Sequence, residues 1–247
     1  MDIQRSARVF GWLFIATFVT SITAKILFVD GVGGSFNELR FVPGELSKNT
    51  VYLAAILEFL LIVANIGTAV VLHPIVKRQS EGLALGYVGA RIVESTFILV
   101  GLMSVISLVS VNDAIAAASG GEGTALAAHG SSLAATYDWA FLFGPGLVAG
   151  LGNGLILGYL MYRSGLVPRR LAMFGLVGGP MLAASFVMIL FGVYENGPGL
   201  AGLLALPEII WEGGLGIYAV WKGFRPSPIT RTADVRELAT DPSMAMA

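Results

Sequence analysis

Apolar residues along this chain gather into six long runs, separated by polar segments of unequal length. A helix needs about 20 mostly apolar residues to cross about 30 Å of hydrocarbon. The runs that meet this length lie at about Val9–Val29, Val51–Leu72, Leu85–Val109, Trp139–Tyr162, Leu171–Tyr194 and Leu200–Trp221. They predict an all-α, polytopic membrane protein, a six-transmembrane-helix bundle that forms a single domain over residues 1–224. Residues 225–247 are polar, and Pro226 and Pro228 stop the last helix, so this segment reads as a disordered cytoplasmic tail. Arg5 and Arg8 ahead of the first run imitate a signal peptide, but the run is longer than a secretory core and no small-x-small cleavage site follows it.

The connections divide by character. Asp30–Thr50 carries Phe36, Leu39 and Phe41, and is expected to rest at the interface as a small cap. Ser110–Thr136 is rich in Ala, Gly and Ser and holds too few large apolar groups for a core, which predicts a mobile loop with helical patches. Eleven Lys and Arg fall on one side of the predicted bundle and only Arg40 and Lys48 on the other, which places both termini in the cytoplasm by the positive-inside rule.

Composition narrows the class further. The chain is 55% hydrophobic and 13% charged, about half the charge of an ordinary soluble domain, which excludes a typical soluble enzyme. A net charge of -1 leaves no basic excess of the kind nucleic-acid binding requires. There are no cysteines and two histidines, His73 and His129, so disulfides, thiolate metal sites and cysteine nucleophiles are ruled out. No cofactor or metal site is read from the sequence. The partner that follows directly is the lipid bilayer.

Glycine, 32 residues, has a location as well as a count. Gly146, Gly150, Gly154 and Gly158 repeat every four residues along one face of the fourth span, with Gly144 and Gly152 beside them. Apolar burial between helices gains little in lipid, so small residues that let backbones approach mark helix contacts. The repeat predicts a groove that another helix of the chain, or a second copy, crosses closely. Pro145, Pro180 and Pro207 interrupt the spans, either as ordinary kinks or as the broken helices found at transporter sites.

Ionisable groups within spans carry the candidate chemistry: Glu58, Arg91, Glu94, Glu208 and Glu212, with Asn65 and Asn153. A lone charge at the bilayer centre costs about 2.5–3.5 kcal/mol on the mildest scale, so these side chains should face the bundle interior. Counting a rise of 1.5 Å per residue, they fall about 10 to 21 Å below the outer boundary and predict one polar column. Arg91 and Glu94 are spaced i,i+3, Glu208 and Glu212 i,i+4, and Glu58 and Asn65 i,i+7, so each pair shares a helix stripe. Four carboxylates face one guanidinium, and full ionisation in a dry interior is untenable. Three readings stand. The column is a structural network that fixes helix register, or a site for a small solute, proton or cation open to the outer face, or a carboxylate pair doing acid and base work. No HExxH, GxSxG or Gly-Asp dyad accompanies the carboxylates, which weighs against an enzyme. Lys25, near the outer end of the first span, is expected to snorkel toward headgroups, and Asp138 and Trp139 to open the fourth helix at the boundary.

The segments NIGTAVVLHPIVKRQSEGLALGYVGARIVES (Asn65–Ser95), GLGNGLILGYLMYRSGLVPRR (Gly150–Arg170) and LPEIIWEGGLGIYAVWKGF (Leu206–Phe224) resemble the bacterial integral membrane family filed as domain of unknown function 4386. The resemblance runs from the first span to Phe224. It implies the six-helix architecture and a bacterial cytoplasmic membrane, and it carries over no activity and no site residues.

Overall fold

The computed structural model describes residues 2–197 and 199–230. Six helices are long and apolar enough to cross a membrane: α1 (Ile3–Val32), α2 (Lys48–Val76), α3 (Glu81–Ala117), α4 (Glu122–Ser164), α5 (Arg169–Leu190) and α6 (Leu200–Trp221). Among the described residues the only sheet is a hairpin of two short strands, β1 (Gly34–Ser35) and β2 (Glu38–Leu39). Each helix packs on its neighbour in chain order, and α6 returns to α1, so the bundle closes on itself. The terminal face holds the start of α1, the end of α6 and the turns after α2 and α4. The distal face holds the hairpin and the turns after α3 and α5.

Local chemistry explains the helix ends. The Asp2 side chain accepts from the backbone N–H groups of Gln4 and Arg5 and so caps α1. Ser80 caps α3 by accepting from Leu83 N–H. Gly165, at φ 70°, ends α4 in the left-handed conformation that glycine tolerates best.

One connection differs from the sequence expectation and another meets it. The segment 110–136 is helical apart from residues 118–121: α3 continues to Ala117 and α4 begins at Glu122. Alanine, the best helix former, dominates here, and hydropathy does not register that propensity. The Asp30–Thr50 connection does form a cap, in which Leu39 and Phe41 are buried and Phe36 is exposed. The Phe41 ring lies on Gly130 of α4, a contact that any β-carbon at Gly130 would obstruct. The expected disordered tail, 225–247, falls mostly outside the described residues. Residues 225–230 lie against the terminal face, where Arg225 N–H donates to Leu166 O (2.8 Å) and the Ser227 hydroxyl to Ser164 O (2.6 Å).

Two apolar clusters fill the interior. One lies toward the terminal face around Phe10, Phe14, Leu72, Tyr87, Leu157, Trp211, Leu215 and Phe224. The other lies toward the distal face around Phe28, Val51, Val105, Leu108 and Tyr137. The glycine repeat of α4 packs intramolecularly. A β-carbon at Gly150 would come within 2.8 Å of Gly179 O on α5, one at Gly154 would collide with Gly179 Cα, and one at Gly158 would press on Gly175 and Leu176 at about 3.2 Å. Three of the four groove glycines are therefore covered by α5. Gly146 is not: its β-carbon would meet only Leu142, at 3.9 Å. Gly144 and Gly152 face α3 instead, against Phe97 and Ala90.

The middle of α4 is wider than an α-helix. Residues Leu142–Val148 and Gly150–Leu157 form π-helical turns, beginning three residues before Pro145. Proline has no N–H to give to the ladder, and the surrounding glycines let α3 and α5 close on the widened backbone.

Candidate interior polar site

Arg91 of α3 is 2% exposed and lies at the centre of a closed ring of hydrogen bonds. Its Nη1 donates to Glu94 Oε2 (2.7 Å), its Nη2 to Asn65 Oδ1 (2.5 Å) and its Nε to Asn65 O (3.4 Å). Asn65 Nδ2 completes the ring by donating to Glu94 Oε1 (3.2 Å). The i,i+3 spacing sets Arg91 and Glu94 on one face of α3, and α2 supplies Asn65 opposite. Thr68 continues the ring toward the terminal face, with its hydroxyl donating to Asn65 O (2.6 Å) and lying 3.3 Å from Tyr87 Oη. Both Glu94 oxygens are taken, so this part of the site is satisfied within the protein.

The second group sits on α6 and α4. Asn153 Nδ2 donates to Glu212 Oε1, and Trp211 Nε1 donates to the carbonyl of Asn153 (2.9 Å). One turn away, Glu208 is 3% exposed, and neither of its carboxylate oxygens has a hydrogen-bond partner. Its carboxylate lies over the backbones of Gly154 and Gly178: a β-carbon built at those glycines would be 2.7 and 2.9 Å from Glu208 Oε2. Glycine at both positions makes room for an acidic side chain between α4 and α5.

Glu58 stands apart. Tyr137 Oη donates to Glu58 Oε1 (2.7 Å), leaving Glu58 Oε2 without a partner. Lys25 of α1 lies beside this pair, its ammonium 4.4 Å from the Tyr137 ring centroid and 3.2 Å from Asp138 Oδ1. Asp138 also accepts from the backbone N–H of Leu39 (2.9 Å), which ties the hairpin to α4. The expectation that Lys25 snorkels is thus corrected. It is 2% exposed, because Asp138 offers an anion inside the bundle within reach of the amine. Asp138 does not open α4 either, since the helix starts sixteen residues earlier at Glu122.

The structure therefore brings Asn65, Arg91 and Glu94 together, places Asn153, Glu208 and Glu212 beside them, and separates Glu58. Lys25, Tyr137 and Asp138 belong with Glu58, and Thr68 and Tyr87 with the Arg91 ring. Lys25 and Asp138 were legible as charges near spans; the tyrosines carried no signal that separates them from ordinary core aromatics.

Three cavities that share lining residues adjoin most of these groups, the outermost at the distal face. A vestibule of about 940 Å³ is lined by the hairpin, Asp138, Trp139, Tyr194 and Asn196. It shares Asn37, Asp138, Leu142 and Asn196 with a chamber of about 280 Å³ that reaches Lys25, Glu208 and Glu212. That chamber shares Phe36, Phe141, Pro145, Ile209 and Glu212 with a third, of about 310 Å³, lined by Asn65, Arg91 and Glu94. Glu212 stands at the junction of the two inner chambers. Beyond them toward the terminal face lies the apolar cluster around Trp211, Phe14 and Leu157. Gly11 of α1 approaches Gly216 of α6 there, such that a β-carbon on Gly11 would be 2.7 Å from Gly216 O.

A closed ring of six apolar helices around a buried polar centre defines a polytopic membrane protein. The chain matches the family described as Domain of unknown function (DUF4386) over residues 9–223, and it belongs to that family. Comparison with curated proteins and with solved structures gives no match.

Proposed function

We propose that the protein recognises or translocates a small solute or ion in the interior chambers, with Glu208 and Glu212 as the binding carboxylates. The observation that carries this reading is Glu208, whose two oxygens are buried without partners in the wall of a chamber that adjoins the distal vestibule. An unpaired buried carboxylate is costly, and a protein that keeps one needs a proton or a cation to compensate it. Glu212, half-buried at the junction of the chambers, carries the second charge. The apolar cluster below forms the closed side of the site, so translocation requires α1 and α6 to part near Gly11 and Gly216. In this reading the terminal face, with Arg5, Arg8, Lys77, Arg78, Arg163, Arg169, Arg170, Lys222 and Arg225, is cytoplasmic in a bacterial inner membrane.

The Arg91–Glu94–Asn65 ring supports a second role for part of the polar centre, because it is complete without a ligand. It holds the register of α2 and α3 and places a fixed, neutralised wall behind Glu212.

Thermal unfolding of the purified protein against a panel of small cations, amines, carboxylates and uncharged solutes, at fixed ionic strength, tests the proposal. At least one class should raise Tm in the wild type and fail to do so in Glu212→Gln. A wild-type Tm that no class raises contradicts it.

A further inference from the structure

We infer that the ligand of the Glu208–Glu212 pair is a primary ammonium group on a small, partly apolar body. This assignment rests on the cavity reading above and deepens it. Charge comes first. The ionisable groups that line the two inner chambers are Lys25, Arg91, Asp138, Glu94, Glu208 and Glu212. Lys25 is paired with Asp138 and Arg91 with Glu94, so Glu208 and Glu212 are the ionisable groups left over, and both are carboxyls. An anion would meet no free cation among these groups.

Hydrogen bonding then selects among cations. Among the described residues the only hydrogen bond to the Glu212 carboxylate comes from Asn153, at Oε1, which leaves Glu212 Oε2 open to the chambers; the two unpartnered oxygens of Glu208 lie one turn away, closed between α4 and α5, and reach a ligand once that side chain turns toward the chamber. A primary ammonium brings three N–H donors on one charge, which matches these acceptors; a quaternary ammonium brings none. A metal ion is the poorer fit, because no group of three or more His, Asp or Glu side chains that could hold one is found among the described residues. Most of the remaining wall is apolar, with Asn37, Asn196, Thr17 and Ser21 among the exceptions: Phe36 and Phe141 line both chambers and Phe18 lines the inner one. Aromatic faces attract a cation and also cover a short hydrocarbon body. The protein already seats one ammonium this way. The Lys25 amine lies 3.2 Å from a carboxylate oxygen, and 4.4 and 5.5 Å from the centroids of Tyr137 and Phe141. A chamber of about 280 Å³ sets the size at the small end of ligand sites. A free amine and the ethanolamine headgroup of a lipid both present this chemistry.

The test uses the full chain, which has no native cysteine, with Ala205→Cys placed in the wall of the Glu208 chamber. The protein is reconstituted in phosphatidylcholine vesicles, and its modification by a small, charged thiol reagent is timed. Propylammonium at ten times its dissociation constant should slow modification about tenfold, while equal concentrations of tetramethylammonium or sodium leave the rate unchanged. Adding Glu208→Gln should remove the protection. Vesicles containing phosphatidylethanolamine separate the sources: slowing by that lipid alone assigns the headgroup, and slowing by propylammonium alone assigns a free amine. Modification that neither propylammonium nor phosphatidylethanolamine slows, or that tetramethylammonium slows as much as propylammonium does, overturns the ammonium assignment and leaves the cavity reading standing. No modification in any condition overturns both. The comparison of the two ammonium ions is made in Ala205→Cys itself and does not depend on the folding of the Glu208 variant.

Discussion

Arg91 and Glu208 are buried ionisable side chains with opposite circumstances. Arg91 has partners at three of its nitrogens, and the two residues that bond it also bond each other. Removing it leaves the Glu94 charge buried without its counter-ion, a loss of about 3–5 kcal/mol. Arg91→Ala should therefore unfold at markedly lower temperature than the wild type, and Arg91→Met with Glu94→Met should recover much of the loss, as measured by thermal unfolding in detergent. Equal instability of the single and double variants would show that the ring does not act as a charge pair. Both residues were readable as buried charges, since an Arg and four Glu inside apolar runs demand interior partners. Their pairing was not readable. Spacing gives each side chain a stripe on its own helix, but the rotation of α2 against α4 decides that Glu58 meets Tyr137 and not Arg91. The burial of Lys25 was hidden for a related reason: snorkelling wins only when no anion is nearer, and the nearer anion, Asp138, comes from 113 residues along the chain.

The helices were legible as elements because each of the six apolar runs, at about 20 residues, is long enough to span hydrocarbon and too apolar for a water-facing surface. Their ends were not. Alanine-rich, weakly apolar sequence extends α3 to 37 residues and α4 to 43, about 55 and 65 Å long at 1.5 Å per residue, well beyond the hydrocarbon. Depths counted from assumed helix ends inherit that error, which is why the single polar column resolves into separate groups. The glycine repeat of α4 did announce a close crossing, and its partner is α5 of the same chain through Gly175 and Gly179. A second copy would find Gly150, Gly154 and Gly158 already covered. This contact gives a graded prediction. Gly154→Ala sets a methyl against Gly179 Cα and Glu208 Oε2, with nothing but backbone and a buried carboxylate to yield, and should cost about 1–3 kcal/mol. Gly146→Ala, two turns earlier on the same helix, meets only Leu142 at 3.9 Å and should stay within about 0.5 kcal/mol of the wild type. Chemical unfolding of the two variants side by side checks the difference, and equal costs would contradict the packing described.

At the scale of the whole molecule, apolar clusters lie toward both faces, and the acidic chambers lie on the distal side of the terminal cluster, with Glu212 near that boundary. That asymmetry links the architecture to the proposed function. A site reached from one face and sealed from the other is the arrangement a receptor keeps and a transporter alternates. The most direct measurement is a cysteine scan along α6, in vesicles or cells, with a charged thiol reagent supplied on one side of the membrane at a time. Ala205→Cys and Ile209→Cys, which line the chambers, should react from the distal side only, whereas Leu215→Cys and Ala219→Cys, which lie in the terminal apolar cluster, should react from neither. Silence at Ala205 and Ile209, or reaction at Leu215 and Ala219 from the distal side, would contradict a carboxylate-lined cavity that opens to one face and ends at Glu212.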